Sequence, residues 1–336
     1  MRRALPILLL VLAAAIAACG DDEGGESTRV RGDTLTVYVS LPAHGIGARA
    51  GAAAEAGMRR ALAESDGRAG GRRIRFVRLS STRPGDAAWD PGTVEANADR
   101  AADDPTTIAY IGELDRGASA VSLPVTNREQ ILQVSPADAL TSLTRRPPGR
   151  PRAGPERYYP AEHPTFIRLV PPDIEAAREI VAELHASDTR RLALVTGDGI
   201  ADHELEAMVL GLIGTGQPRT VTRLAAPSDA DDPESVADLV EELVEASPQA
   251  IVYAATDGVR TRAALAALSA ELSGVPLMTP TLTRQRALLA PSGRCPQSLG
   301  YDAMRLTLAA IERGGADRLG VVRAAMKATP DVSACG

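Results

Sequence analysis

Past its first nineteen residues the chain has no apolar run approaching the ~20 residues of a membrane-crossing helix, so no further helical span is expected. Positive charge is also short: 37 basic side chains stand against 43 acidic ones, a formal net of −6. A nucleic-acid partner, which favours a concentrated positive face, is therefore not expected. The four histidines (His44, His163, His185 and His203) show no metal-ligand spacing, and His203-Glu204 lacks a second histidine four residues on. Each reads as a surface or loop residue. Asp229, Asp231 and Asp232 lack the glycine and distal glutamate of a calcium loop and read as a turn and a helix cap. Neither a metal nor a cofactor is expected.

What is present begins at the first residue. Met1-Arg2-Arg3 is basic, Ala4 to Ala18 is apolar throughout, and Cys19 follows Ile16-Ala17-Ala18. A basic start, a short apolar core and small residues before a cut are what an export signal requires, so 1–18 reads as a signal peptide. Cys19 directly after Ile-Ala-Ala resembles the lipobox of bacterial lipoproteins. That resemblance implies cleavage before Cys19, its diacylation, and tethering at the outer face of the cell membrane. The alternative is an uncleaved anchor helix, but the apolar stretch is shorter than the ~20 residues a span needs. Residues 20–27 contain nothing apolar, and 19–32 reads as a flexible acidic tether. Loss of Arg2 and Arg3 with the signal takes the net charge to −8. Of three cysteines, two are then left, Cys295 and Cys335, in an oxidising compartment. A disulfide between them would close a loop of about 41 residues and stabilise by about 4 kcal/mol in the loop-entropy model. Two separate thiols are the alternative.

The remaining length is enough for two domains of ordinary size. Leu35 to Ser40 is a strand by its β-branched and aromatic content, and Gly51 to Ala63 follows with a helical apolar face. Arg73 to Leu79 alternates with period two, as a half-buried strand does. Helices at 91–102 and 117–127 then alternate with strands at 107–111 and 131–134. The second half repeats the rhythm. It has strands at 166–170, 191–195, 220–224, 250–254 and 276–278, with helices at 174–185, 201–213, 233–246 and 260–272. Helices at 300–313 and 319–328 close the chain. Such alternation implies parallel sheets covered by helices on both faces, an α/β architecture of two doubly wound lobes. Between them, 145–164 holds six prolines and five arginines, a solvated connector or a basic rim over a cleft.

No catalytic constellation emerges. Gly45-Ile-Gly47 lies between a strand and a helix like a dinucleotide turn, but no carboxylate ends the next strand, where Leu79-Ser80-Ser81-Thr82 stands. It reads as a turn that lets backbone approach some other ligand. Gly117-Ala118-Ser119-Ala120-Val121 lacks the closing glycine of a nucleophile elbow, so Ser119 reads as a helix cap or ligand contact before a nucleophile. In open parallel sheets ligands bind beyond the carboxyl ends of the strands. The turns there (41–47, 80–92, 112–117, 135–141, 196–201, 254–258) bring helix N-termini around one crevice. A ligand carboxylate would take the amides of 117–119 and the Ser119 hydroxyl, and an ammonium would take Asp115, Asp198 or Asp257.

Several stretches then resemble one exported family: Ser40-Leu-Pro-Ala-His-Gly45, Trp89 to Asn97, Thr107 to Glu113, Gly117 to Val121, Gln133-Val-Ser-Pro-Ala137 and Tyr301-Asp-Ala-Met304. The chain resembles the substrate-binding lipoproteins of branched-chain amino-acid ABC transporters, the type I periplasmic binding proteins, from about 33 to 328. The resemblance implies two α/β lobes joined by a hinge, with the first discontinuous (33–163 plus about 282–328) and the second at 164–281. It implies closure over a small amino-acid-like ligand that is passed to a membrane permease, and no enzymatic activity. It also places ligand contacts at Asp115, Arg116, Ser119, Ala137, Asp138, Asp198, Ala201, Thr256 and Asp257. Ser119 fits the family pattern. Departures are Arg116, where a hydroxyl is common, Asp138-Ala139, where Thr or Asn is common, and Ala201 and Thr256, where aromatic residues occur. Tyr253 falls close to the expected aromatic region, and 282–300 is short.

Overall fold

The computed structural model describes residues 28–214, 218–227, 233–255, 259–280 and 295–328. The signal stretch, Cys19, Asp229 to Asp232, Thr256, Asp257 and Cys335 lie outside the described residues.

The first sheet is built from β1 (Thr34–Leu41), β2 (Arg68–Ala69), β3 (Arg72–Ser80), β4 (Thr107–Ile111), β5 (Leu132–Ser135) and β6 (Phe166–Arg168) in the order β2-β3-β1-β4-β5-β6. All neighbours are parallel except β2, which pairs antiparallel with β3 at the edge. Helices α1 (Ala48–Glu64), α2 (Pro91–Asp103) and α3 (Ser119–Arg128) make the crossovers. The chain winds one way from β1 to β3 and the other way from β4 onward, so the order reverses between β1 and β4. The sequence assigns 166–170 to the second half. The structure instead adds its strand to the first sheet, because Gln133 to Ser135 offer the open edge that Phe166 to Arg168 pair with.

The second sheet has β7 (Arg191–Thr196), β8 (Thr220–Ala225), β9 (Ala250–Tyr253) and β10 (Leu277–Met278), all parallel, in the order β10-β9-β7-β8. Its helices are α4 (Asp173–Ala186), α5 (Ile200–Ile213), α6 (Pro233–Ala246) and α7 (Val259–Glu271). Here the reversal falls between β7 and β9. Near-continuous apolar strands such as Leu192 to Val195 are buried on both faces, as covered parallel sheets require.

After the second sheet, α8 (Pro296–Gly314) and α9 (Arg318–Met326) pack back on the first lobe. Two glycines permit this. A Cβ on Gly57 of α1 would stand 2.0 Å from Gln297 O, and one on Gly300 of α8 would stand 2.1 Å from Ala54 O. The helix backbones therefore touch, and Met58, Ala303 and Met304 close the core around the crossing. Cys295 precedes α8 and its backbone N–H donates to the Ser298 hydroxyl at 3.1 Å. Its expected disulfide partner is Cys335, outside the described residues. Among the described residues no helix is long and apolar enough to cross a membrane.

Candidate functional site

Both reversal points carry candidate residues. β4 ends at Ile111, and the turn 112–118 leads into α3; β7 ends at Thr196, and the turn 197–199 leads into α5. Ligands of open α/β sheets bind at such switch points. Here the two turns meet directly. The Arg116 guanidinium leaves the first lobe and donates from Nε to Asp173 Oδ2 at 2.7 Å and from Nη2 to Ala201 O at 3.2 Å. A further pair with Asp202 Oδ1 spans 3.7 Å. Arg116 is 7% exposed, Asp173 1% and Asp202 5%, so this is a buried, doubly countered charge. Asp173 opens α4, which the Asp173 N–H anchors to Ala139 O at 2.8 Å and the Ile174 N–H to the Thr141 hydroxyl at 3.0 Å.

Asp138 closes the other half of the site. The β5 turn lies beside the β4 turn because the strands are neighbours. Its fully buried carboxylate accepts the N–H groups of Gly117 (2.9 Å), Ser119 (2.8 Å) and Leu140 (3.1 Å). The Ser119 hydroxyl also bonds Asp138, and accepts the Glu113 N–H at 3.1 Å. The expectation that the amides of 117–119 take a ligand carboxylate is thus corrected: the chain supplies that carboxylate itself. Ser119 is the first residue of α3, and the N-cap position before it is held by Ala118. Burial raises the Asp138 pKa, and its three backbone donors pull it back.

The remaining candidates divide. Ala201 is 2% exposed and packs with Leu123, Leu140, Leu143, Tyr158 and Phe166, an apolar seam joining the lobes. Ala137 is half-buried against the first core. Half-buried Asp115 lies over the glycine turn, with Oδ1 3.5 Å from where a Gly47 Cβ would stand. Asp198 is exposed on the second-lobe turn. Tyr253 is 1% exposed inside the second core, so it is no cleft aromatic, and burial pushes its hydroxyl up to about 12. The glycine turn serves the protein's own backbone: Gly45 has φ +67°, and a Cβ there would stand 2.4 Å from Ala87 O.

The stretch 145–160 keeps its arginines exposed or half-buried, as a solvated segment would, but it is anchored at particular points. It lies on α5, where a Cβ on Gly149 would stand 2.2 Å from Ala207 O, and Tyr158 is buried. Just before it, the Ser142 N–H donates to Glu204 Oε1 of α5 at 3.0 Å, and burial raises the Glu204 pKa.

Sequence reasoning missed Glu113 as a site residue, although it stands in a quoted motif. Fully buried at the head of β4, its carboxylate accepts the hydroxyls of Ser40 (2.7 Å) and Tyr110 (2.6 Å). Burial, offset in part by those two donors, raises its pKa from 4.5 to about 8. The fold therefore holds a proton that the unfolded chain releases above about pH 4.5, so this group makes stability fall as pH rises through the window up to about 8. Glu113→Gln, which keeps the shape without the charge, is expected to flatten that decline. Melting temperatures compared at acid and alkaline pH test it; parallel curves for both proteins would refute the assignment. Asp173 and Asp202 were also missed. The only local signal was Asp173 following Pro171-Pro172 at a helix start. Among the described residues no cluster of three or more His, Cys, Asp or Glu could hold a metal.

No family model and no curated protein matches the chain. Solved structures do. A leucine-binding protein from Thermotoga maritima is similar at 19% identity and TM-score 0.66, covering 87% of each chain. A periplasmic binding protein from Burkholderia mallei gives 15% identity and TM-score 0.69 over 89% of this chain and 84% of that one. An ABC-transporter solute-binding protein from R. palustris in complex with benzoate gives 17% and 0.64 over 88% and 86%. The fold of this chain is that of the type I periplasmic binding proteins: two lobes of parallel α/β structure.

Proposed function

We propose that the chain is an extracytoplasmic solute receptor of the ABC-importer type, held at the membrane by lipid on Cys19, that takes a small polar ligand between its lobes. The observation that carries this reading is the meeting of the two switch points across Arg116, which makes the lobe junction the place for a guest. The solute class is an amino acid or related amide, gripped through its amino or amide end by Asp115 and Asp198, with Asp257 as a third candidate. The buried carboxylate of Asp138 already occupies the donors that an acidic group would need. A solute of the benzoate type, which four of the solved structures hold, offers an acidic group and no amino or amide end for these aspartates, and is therefore the weaker ligand. The role is binding, not catalysis.

A melting-temperature panel of amino acids, amides, small amines and aromatic acids tests it. At a hundred times its dissociation constant a true ligand adds about 2.7 kcal/mol to stability. Amino acids, amides or amines are expected to shift the curve and aromatic acids to leave it in place. Flat curves with every compound would remove the proposal.

One observation favours a second reading, a sensing or non-transporting member of this fold: the chain's own charges already tie the lobes together. Uptake of a panel hit by cells lacking the protein separates the two. Abolished uptake supports transport, and unchanged uptake supports sensing.

A further inference from the structure

The chain enters the first lobe between α8 and α9. The Val30 N–H donates to Ala316 O at 2.7 Å and the Arg318 N–H to Thr28 O at 2.9 Å, while Arg29 forms a single antiparallel bridge with Asp317. This entry point borders a groove of about 800 Å³ lined by Arg29, Arg313, Arg323, Lys327 and one carboxylate, Asp317. Asp317 is already engaged, by the Thr28 hydroxyl, by the Gly320 N–H at 2.9 Å and by Arg323 at 3.5 Å. In a chain whose net charge is −6, four exposed cations at one entry point, including the only lysine, are a marked local excess. Met326, 39% exposed, adds an apolar tip beside Lys327.

We propose that this groove is the face the protein lays on an anionic phospholipid surface. The proposal rests on the lipid tether proposed above, because Cys19 is close in sequence to Thr28 and the intervening chain spans at most about 30 Å. A diacylated Cys19 therefore keeps Arg29 and its neighbours near the headgroups, where cations are drawn to phosphates within a Debye length. The apolar Met326 tip can enter the headgroup layer between them.

The mature chain from Gly20, without lipid, is sedimented with vesicles of phosphatidylcholine alone or phosphatidylcholine with phosphatidylglycerol. Binding is expected only to the anionic vesicles, and it weakens as salt is added. Each cation is worth about fivefold in partitioning, so Arg313→Gln, Arg323→Gln and Lys327→Gln together should lower it about a hundredfold. These side chains are exposed, so the melting temperature should hold. A control neutralises Arg178, Arg190 and Arg219, exposed on the second lobe, and should leave binding unchanged. Equal losses in both variants, full competition by inorganic phosphate where sodium chloride of the same ionic strength leaves binding intact, or no binding to anionic vesicles would each overturn the proposal. Incorporation of labelled fatty acid, lost in Cys19→Ser, tests the anchor separately. Labelling at Cys19 in cells, together with no binding of the lipid-free chain to anionic vesicles, defeats the surface and leaves the anchor standing.

Discussion

Replacing Arg116 with alanine is expected to cost about 3–5 kcal/mol, since removing one member of a buried ion pair strands its partners. Asp173 and Asp202, both carried by second-lobe helices, would then stand at the lobe junction with no cation from the first lobe, in a site where Arg116 is 7% exposed. Both keep other roles, Asp173 at the start of α4 and Asp202 accepting the Gly199 N–H at 3.2 Å, so neither can turn away to water cheaply. The damage should therefore appear as a lower urea midpoint and as a larger radius of gyration in solution scattering. Arg116→Lys keeps the charge but not the planar fork that reaches Asp173 and Ala201 O together, and should recover only part of the loss. An alanine variant with unchanged dimensions and midpoint would show that Arg116 does not hold the lobes.

Asp138→Ala should be comparably severe. It leaves the N–H groups of Gly117, Ser119 and Leu140 without their acceptor in a fully buried place, at about 1–3 kcal/mol for each that finds no other. It also makes a vacancy shaped for a small carboxylate beside the start of α3, where amides and helix dipole favour an anion. Formate or acetate should therefore raise the melting temperature of the alanine variant and not that of the parent. Asp138→Asn retains one acceptor oxygen and should fall between the two. An alanine variant that melts with the parent, or that ignores added formate, would sink the assignment of Asp138 as a resident anion.

The layout of the fold was largely readable because strands such as Leu192 to Val195 are apolar on both faces and helices such as Pro233–Ala246 carry a clear period. The antiparallel edge strand β2 was missed because Arg68–Ala69 is too short to show alternation. Phe166 to Arg168 was recognised as a strand but placed in the wrong half, since periodicity says nothing about which edge a strand will join. At the site, the residue types were identified and their partners were not. Asp138 meets the turn after β4 only because β4 and β5 are neighbours in the sheet, a fact of strand order. Arg116 finds Asp173 and Asp202 across the lobe junction, far along the chain, where no local pattern links them.

β1 has one more consequence. Its first residue follows the entry of the chain into the lobe and its last adjoins the switch point, so the proposed mooring and the proposed ligand site stand at opposite ends of one rod. With eight residues at about 3.3 Å each, that rod is about 26 Å long. If Cys19 carries the proposed lipid, insertions or deletions in 20–27 would thus change how high the switch point rides above the membrane without disturbing a single bond at Arg116. Reach and grip can be altered independently.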